Sequence, residues 1–174
     1  MLPDARCPPQ PMKERLMNDL QRRCLGAALG SALLLAAAFW FQYGQGLAPC
    51  PLCIWQRWPH AAAVLIGLAT LAAPRRGLAL LGAVVMLAGT VVAAYHAGVE
   101  LGWWQGPTTC TAPSDIAGLT PDQLLERIQA APVVRCDDIP WSLFGLSMAA
   151  WNGLASAALC VLWLRAYASS SASQ

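Results

Sequence analysis

Cys50 and Cys53 stand three residues apart in the stretch APCPLCIWQRWPH, Ala48 to His60, and Arg57 follows the second cysteine by four. A thiol pair at this spacing closes a very tight loop and is more typical of redox motifs than of structural staples. The stretch opens an apolar segment, so Cys53 is expected at a helix start, where unpaired backbone N–H groups and the helix dipole favour an anion. Arg57 then lies one turn on, on the same helix face. Both effects favour thiolate over thiol, and a thiolate is the species that attacks a disulfide or gives up electrons. The plainer reading of Arg57 is snorkelling to lipid headgroups, as arginines near helix ends do; beside the cysteine pair that reading is the weaker one.

The elements that must position these residues follow from composition. The chain has 174 residues, 57% of them hydrophobic and 11% charged, against roughly 25% charged in soluble domains. Four runs, 24–43, 54–73, 78–99 and 143–164, contain between them one charged side chain, Arg57. Each reaches the ~20 residues that cross ~30 Å of hydrocarbon, and backbone in lipid must satisfy its own hydrogen bonds, so all four are expected to be helices. The expected fold is therefore an all-α membrane protein, a four-helix antiparallel bundle. A short segment 1–23 precedes the membrane domain 24–164, and 165–174 is a tail, polar and disordered at its end. A cleaved signal peptide is the alternative for the first run. It is longer than the usual 7–15-residue apolar region of such peptides, and three further spans follow.

Basic residues set the orientation. Arg6, Lys13, Arg15, Arg22, Arg23, Arg75, Arg76 and Arg165 fall on one side of the four spans, and only Arg127 and Arg135 on the other. The positive side faces the cytoplasm, which places both termini there and the loops 44–53 and 100–140 outside. In the second loop Thr120 to Gln123 reads as an N-cap, a first-turn proline and a capping-box glutamine. A short amphipathic helix is expected from there to Pro132, lying along the membrane surface. Its flanking segments, 107–113 and 133–140, read as strands accessible to a partner protein. No basic stripe with interleaved aromatics is present, so nucleic acid is not an expected partner. Trp55, Trp58, Trp103 and Trp104 read first as interfacial anchors.

Seven cysteines sort on this topology. Cys50, Cys53, Cys110 and Cys136 lie outside, where disulfides persist; Cys7, Cys24 and Cys160 lie on the reducing side or in lipid. The outer four, in two pairs, can do redox work, while buried Cys24 and Cys160 read as small packing residues. Zinc is disfavoured because the outer loops hold no histidine and Cys110 and Cys136 lack close spacing. A c-type haem needs histidine after the second cysteine, where Ile54 stands. Electrons leaving Cys53 need an acceptor, and membrane quinone is the abundant one in lipid. Arg57 can donate to a quinone carbonyl and stabilise its developing charge. His96, at the outer end of the third run, can help bind or protonate that ring, or simply cap a helix end.

The combination of CPLCIWQR after the first run, YHAGVELGWW ending the third, Cys110, Cys136, and CDDIPWSLFGLSMAAWN at the fourth resembles the disulfide bond formation protein B family, DsbB. The likeness covers roughly Arg22 to Trp163, leaving Met12 or Met17 as alternative starts. It implies a bacterial inner-membrane, multi-pass enzyme that reoxidises a periplasmic DsbA-type thiol oxidase and passes the electrons to a quinone, ubiquinone or menaquinone. It also implies an order of exchange. The partner attacks a Cys110–Cys136 disulfide at Cys110, Cys136 passes to Cys50, and Cys53 is left as the thiolate facing quinone beside Arg57 and His96. The vitamin K epoxide reductase family also pairs a CxxC with quinone, but late in the chain. A non-catalytic membrane scaffold with structural disulfides is the remaining alternative.

Overall fold

The computed structural model describes residues 12–107, 120–130 and 134–169. Cys7, Cys110 and the tail beyond 169 lie outside the described residues. Four long helices dominate. α1 runs Met12–Phe39 and continues as a π-helical turn, Trp40–Gly44. α2 is Pro51–Ala72, α3 Arg76–Glu100 and α5 Met148–Ser169. The short α4, Pro121–Ala130, sits in the long loop. α1 packs on α2, α2 on α3, α3 on α5 and α5 back on α1, a closed cycle of neighbours.

Three of these segments, Asp19–Gly44, Arg76–Glu100 and Met148–Ser169, are long and apolar enough to cross a membrane. The sequence marked four such runs, and the remaining one is α2. α2 has the length, but Gln56, Arg57 and His60 dilute its first three turns. Those side chains line an internal cavity. A helix can carry polar residues at membrane depth when they face such a cavity.

Boundaries differ from the sequence expectation in three places. α1 begins inside the segment 1–23, because nothing between Met12 and Cys24 breaks a helix. α2 begins at Pro51 rather than residue 54: Cys50 takes the N-cap with its sulfur accepting from Cys53 N–H at 3.3 Å, and proline occupies the first turn, where its missing N–H costs nothing. The last helix starts at Met148, not residue 143. Ser142–Leu143 and Leu146–Ser147 pair as a small two-stranded hairpin in an otherwise α-helical fold. Its two turn residues, Phe144 and Gly145, both have positive φ, 52° and 77°, as a type I′ turn requires. Ser147 then caps α5, accepting from Ala150 N–H at 3.1 Å.

The expected capping box at α4 is present. Thr120 N–H donates to Gln123 Oε1 at 3.1 Å and Gln123 N–H donates to Thr120 Oγ1 at 3.4 Å. Cys24 and Cys160 are buried in the core cluster with Met86, Leu159 and Trp163, the packing role expected of them. Trp55, Trp58, Trp103 and Trp104 are exposed.

Candidate redox site

Cys50 and Cys53 are free thiols with their sulfurs 3.0 Å apart. The helix start explains the proximity: a residue at the N-cap and one three further on share the first turn. Cys50 is 4% exposed. It holds its proton up to about 12, first because that proton is shared with Cys53 and then because of burial. Cys53 is shifted the opposite way, below 9.0, chiefly by the hydrogen bond from Cys50 and against the cost of burial. The pair is thus asymmetric, with Cys53 favoured as the thiolate and Cys50 as the thiol hydrogen-bonded to it.

Sequence reasoning gave Arg57 a share in ionising Cys53. The guanidinium instead donates to Gln42 Oε1 at 2.6 Å and lies 5.0 Å above the Phe39 ring centroid. The π turn after α1 is what turns Gln42 toward α2. Arg57 and Cys53 nevertheless line the same cavity. One expected result follows: in Cys50→Ala the alkylation rate of Cys53 should rise at higher pH than in the parent, because the largest influence lowering its pKa is gone while burial remains. Rates of iodoacetamide labelling against pH, read by mass spectrometry on the Cys53 peptide, check this. An unmoved midpoint would return the role to Arg57.

His96 is buried beside the pair, its Nε2 3.5 Å from Cys50 Sγ and its Nδ1 2.6 Å from Gln56 Nε2. The amide NH₂ of Gln56 can only donate, so Nδ1 accepts and Nε2 carries the hydrogen, directed at the sulfur. Glu100, one turn on from His96 and 4% exposed in its side chain, lies 3.9 Å from Nε2. It accepts a hydrogen bond from Ser147 Oγ. In the sequence Glu100 is only the first residue of the outer loop 100–140; its spacing of four from His96 was the signal that the two share a face. Donor atoms of Cys50, Cys53 and His96 lie within 4.8 Å of one another. The outer loops hold no histidine, as the sequence indicates; His96 reaches the thiols from α3.

Cys136 is 3% exposed and packs with Cys50, Leu52 and Val99, with Cys53 against the same cluster. The segment around it was expected to be an open strand; at Cys136 it is tucked onto the thiol pair. Arg135 and Asp137 on either side form a two-pronged ion pair, with Arg135 Nε donating to Asp137 Oδ1 at 2.9 Å. That pair holds the exposed Asp137 carboxyl below its usual range. The structure brings together Cys50, Cys53, Cys136 and His96, and Arg57 lines the same cavity as Cys50, Cys53 and His96. Cys110 lies outside the described residues.

The cavity measures about 650 Å³, inside the 300–1,000 Å³ range of small-molecule sites. Leu34, Ala37 and Ala38 of α1 and Met148 and Ala155 of α5 supply apolar walls. Cys53, Arg57 and His96 line it at the thiol end, and Gln56, His60 and Asn152 supply further polar groups. Sequence reasoning missed the last three. The signal was a polar stripe on α2, residues 53, 56, 57 and 60, at helical spacing within an apolar run.

A family model described as Disulfide bond formation protein DsbB matches residues 21–166. The chain belongs to the DsbB family. It is 34% identical over 148 residues to Disulfide bond formation protein B of Stutzerimonas stutzeri, covering 79% of this chain and 89% of that one. It is 35% identical over 162 residues to Disulfide bond formation protein B 2 of Pseudomonas aeruginosa, covering 87% and 93%. It is 33% identical over 144 residues to Disulfide bond formation protein B of Albidiferax ferrireducens, 79% and 81% of the two chains. No solved structure matches significantly. Family membership and the apolar helices together make this chain a membrane disulfide bond formation protein.

Proposed function

We propose that this chain is a protein-dithiol:quinone oxidoreductase of the bacterial inner membrane, with four spans and both termini in the cytoplasm. It reoxidises a periplasmic DsbA-type thiol oxidase. The observation that carries the reading is the asymmetric Cys50–Cys53 pair at the wall of a mostly apolar cavity that also receives Arg57 and His96. A planar quinone ring fits that space by volume and by lining. Arg57 and His96 would hold its polar edge, and the bound quinone supplies a two-electron, two-proton acceptor.

The chain's own residues carry the thiol exchange. The partner's thiolate attacks Cys110 and displaces Cys136 as thiolate, forming a mixed disulfide. Cys136, packed beside Cys50, attacks the Cys50–Cys53 disulfide at Cys50, and Cys53 leaves as thiolate. The partner's second thiol resolves its bond to Cys110 and departs oxidised. Cys110 then attacks Cys136, restoring the outer disulfide and releasing Cys50, which takes a proton. The resulting dithiol holds two electrons more than the disulfide it replaced. Cys50 keeps its proton until reoxidation, and His96 Nε2–H steadies its sulfur as the charge changes.

Incubating the purified protein with a reduced thiol-oxidase protein and a short-chain benzoquinone tests this. Loss of quinone absorbance at one equivalent per partner disulfide formed supports it, and partner oxidation without quinone consumption sinks it. In Cys136→Ser the Cys110 thiol is left free to attack the oxidised partner's disulfide, and the mixed disulfide should accumulate because no Cys136 thiol remains to displace the partner. Mass spectrometry of non-reducing gel bands should find that link; a partner linked through Cys53 instead would overturn the order of exchange. For orientation, a reporter active only outside the cytoplasm and fused after Gln174 should stay silent. Activity there would invert the assignment of every loop cysteine.

A further inference from the structure

The polar stripe of α2 continues past Arg57 to His60, a residue that the thiol exchange does not use. His60 is 3% exposed and lines the cavity together with Asn152. Its tautomer is fixed by its neighbours. Asn152 Nδ2 donates to Gln56 Oε1 at 2.6 Å, which leaves Asn152 Oδ1 facing His60 Nε2 at 2.9 Å. A carbonyl oxygen only accepts, so Nε2 carries the hydrogen and Nδ1 of the neutral ring is a bare lone pair. Ser156 Oγ lies 3.4 Å from the same Nε2 and leaves Nδ1 untouched.

That Nδ1 is buried and has no hydrogen-bond partner among the described residues. An acceptor buried without a donor costs about 1–3 kcal/mol. Rotating the ring to escape that cost would break the bond to Asn152, whose amide is itself held by Gln56. The unmet need is therefore for a donor arriving from the cavity. A quinone carbonyl cannot meet it, because acceptor would face acceptor. A phenolic hydroxyl can.

We propose that His60 is a second polar anchor of the cavity, accepting a hydrogen bond at Nδ1 from a ring hydroxyl, so that the site holds hydroquinone-class ligands more tightly than their quinones. This rests on the quinone reading above. Asn152 acts as the positioning residue that keeps the hydrogen on Nε2. Tighter holding of the reduced form favours electron arrival from the thiol pair, since it raises the midpoint potential of the bound couple.

The test measures binding, not turnover. The full-length chain carrying Cys50→Ser and Cys53→Ser is titrated anaerobically with a short-chain 1,4-benzoquinone and, separately, with its hydroquinone. Quenching of tryptophan fluorescence reports occupancy, since Trp141 and Trp151 line the cavity. His60→Leu should weaken hydroquinone binding about tenfold and leave quinone binding within about twofold, which equals a fall of about 30 mV in the bound couple's midpoint. Asn152→Leu should show the same selectivity to a smaller degree. The chain has two histidines, so ¹⁵N labelling gives two resolvable rings: in the unsubstituted His60 background, hydroquinone should shift the His60 Nδ1 resonance and quinone should not. An unmoved resonance, or equal loss of both ring forms in both variants, overturns the anchor. A parent chain that binds quinone as tightly as hydroquinone, or more tightly, also overturns the anchor, whereas failure of both ring forms to bind would overturn the proposed function.

Discussion

Replacing Arg57 with methionine should weaken quinone binding ten- to hundredfold, the equivalent of about 1.5–3 kcal/mol for one charged contact. The guanidinium is already held in place, by Gln42 Oε1 at 2.6 Å and by the Phe39 ring at 5.0 Å, so little ordering entropy remains to be lost when a ligand arrives. Arg57→Lys keeps the charge but loses the planar fork and should fall between parent and methionine. Gln42→Ala should give a smaller loss, since it frees the side chain without removing it. Ionisation of Cys53 should be largely retained in the methionine variant, because Cys50 is the main influence on it. Thiol exchange with the partner should survive as well. Equilibrium titration with a short-chain quinone, paired with Cys53 alkylation against pH, separates the two roles. Unchanged quinone affinity would make Arg57 a headgroup anchor.

Gly67→Leu should be the most disruptive single change in the helix core. A Cβ at Gly67 would stand 2.2 Å from Ala28 Cβ and 3.5 Å from the Cys24 carbonyl oxygen. The first neighbour is a methyl fixed to α1 and the second is backbone, so nothing flexible can move aside; α1 and α2 must separate. Overpacking of this kind costs about 1–3 kcal/mol, and more where the backbone must shift. Gly26→Ala is the matched control, with nothing within 4 Å of its Cβ position, and should leave stability unchanged or slightly raised. Cys24, fully buried in the same contact, reports the outcome directly. Its labelling by a thiol-reactive dye during heating should begin at a lower temperature in Gly67→Leu than in the parent. Coincident curves would show that the helices are not in contact there.

Much of the site was legible in the chain because it depends on short-range rules. A cysteine pair at three-residue spacing, followed by arginine at four, can share one helical face only if a helix begins there, and α2 does begin at Pro51. The capping box at Thr120 and Gln123 was readable for the same reason: both bonds close within one turn. Length and apolarity likewise marked the four runs that fall in α1, α2, α3 and α5. The fourth run misled at its start. Leu143 to Ser147 is as apolar as a span, but Gly145 permits a tight reversal there, and the hairpin displaced the first turns of the expected helix.

What the sequence determined on its own is therefore the helices, the redox pair, its placement at a helix start and the family likeness, since each follows from residue order within a few positions. Tertiary structure alone decided how the ionisation is shared and what surrounds it. The bonds from His96 to Gln56, Gln56 to Asn152 and Asn152 to His60 join residues 40, 96 and 92 positions apart. No periodicity encodes them; they exist because α2, α3 and α5 meet, with α3 leaving room for the Trp163 ring of α5 at Gly82 and for Pro59 of α2 at Gly89. Arg57 shows the same division. Its position was readable, but its partner Gln42 is on another element, and hydrogen-bond geometry across a packed interface outranks proximity along one helix.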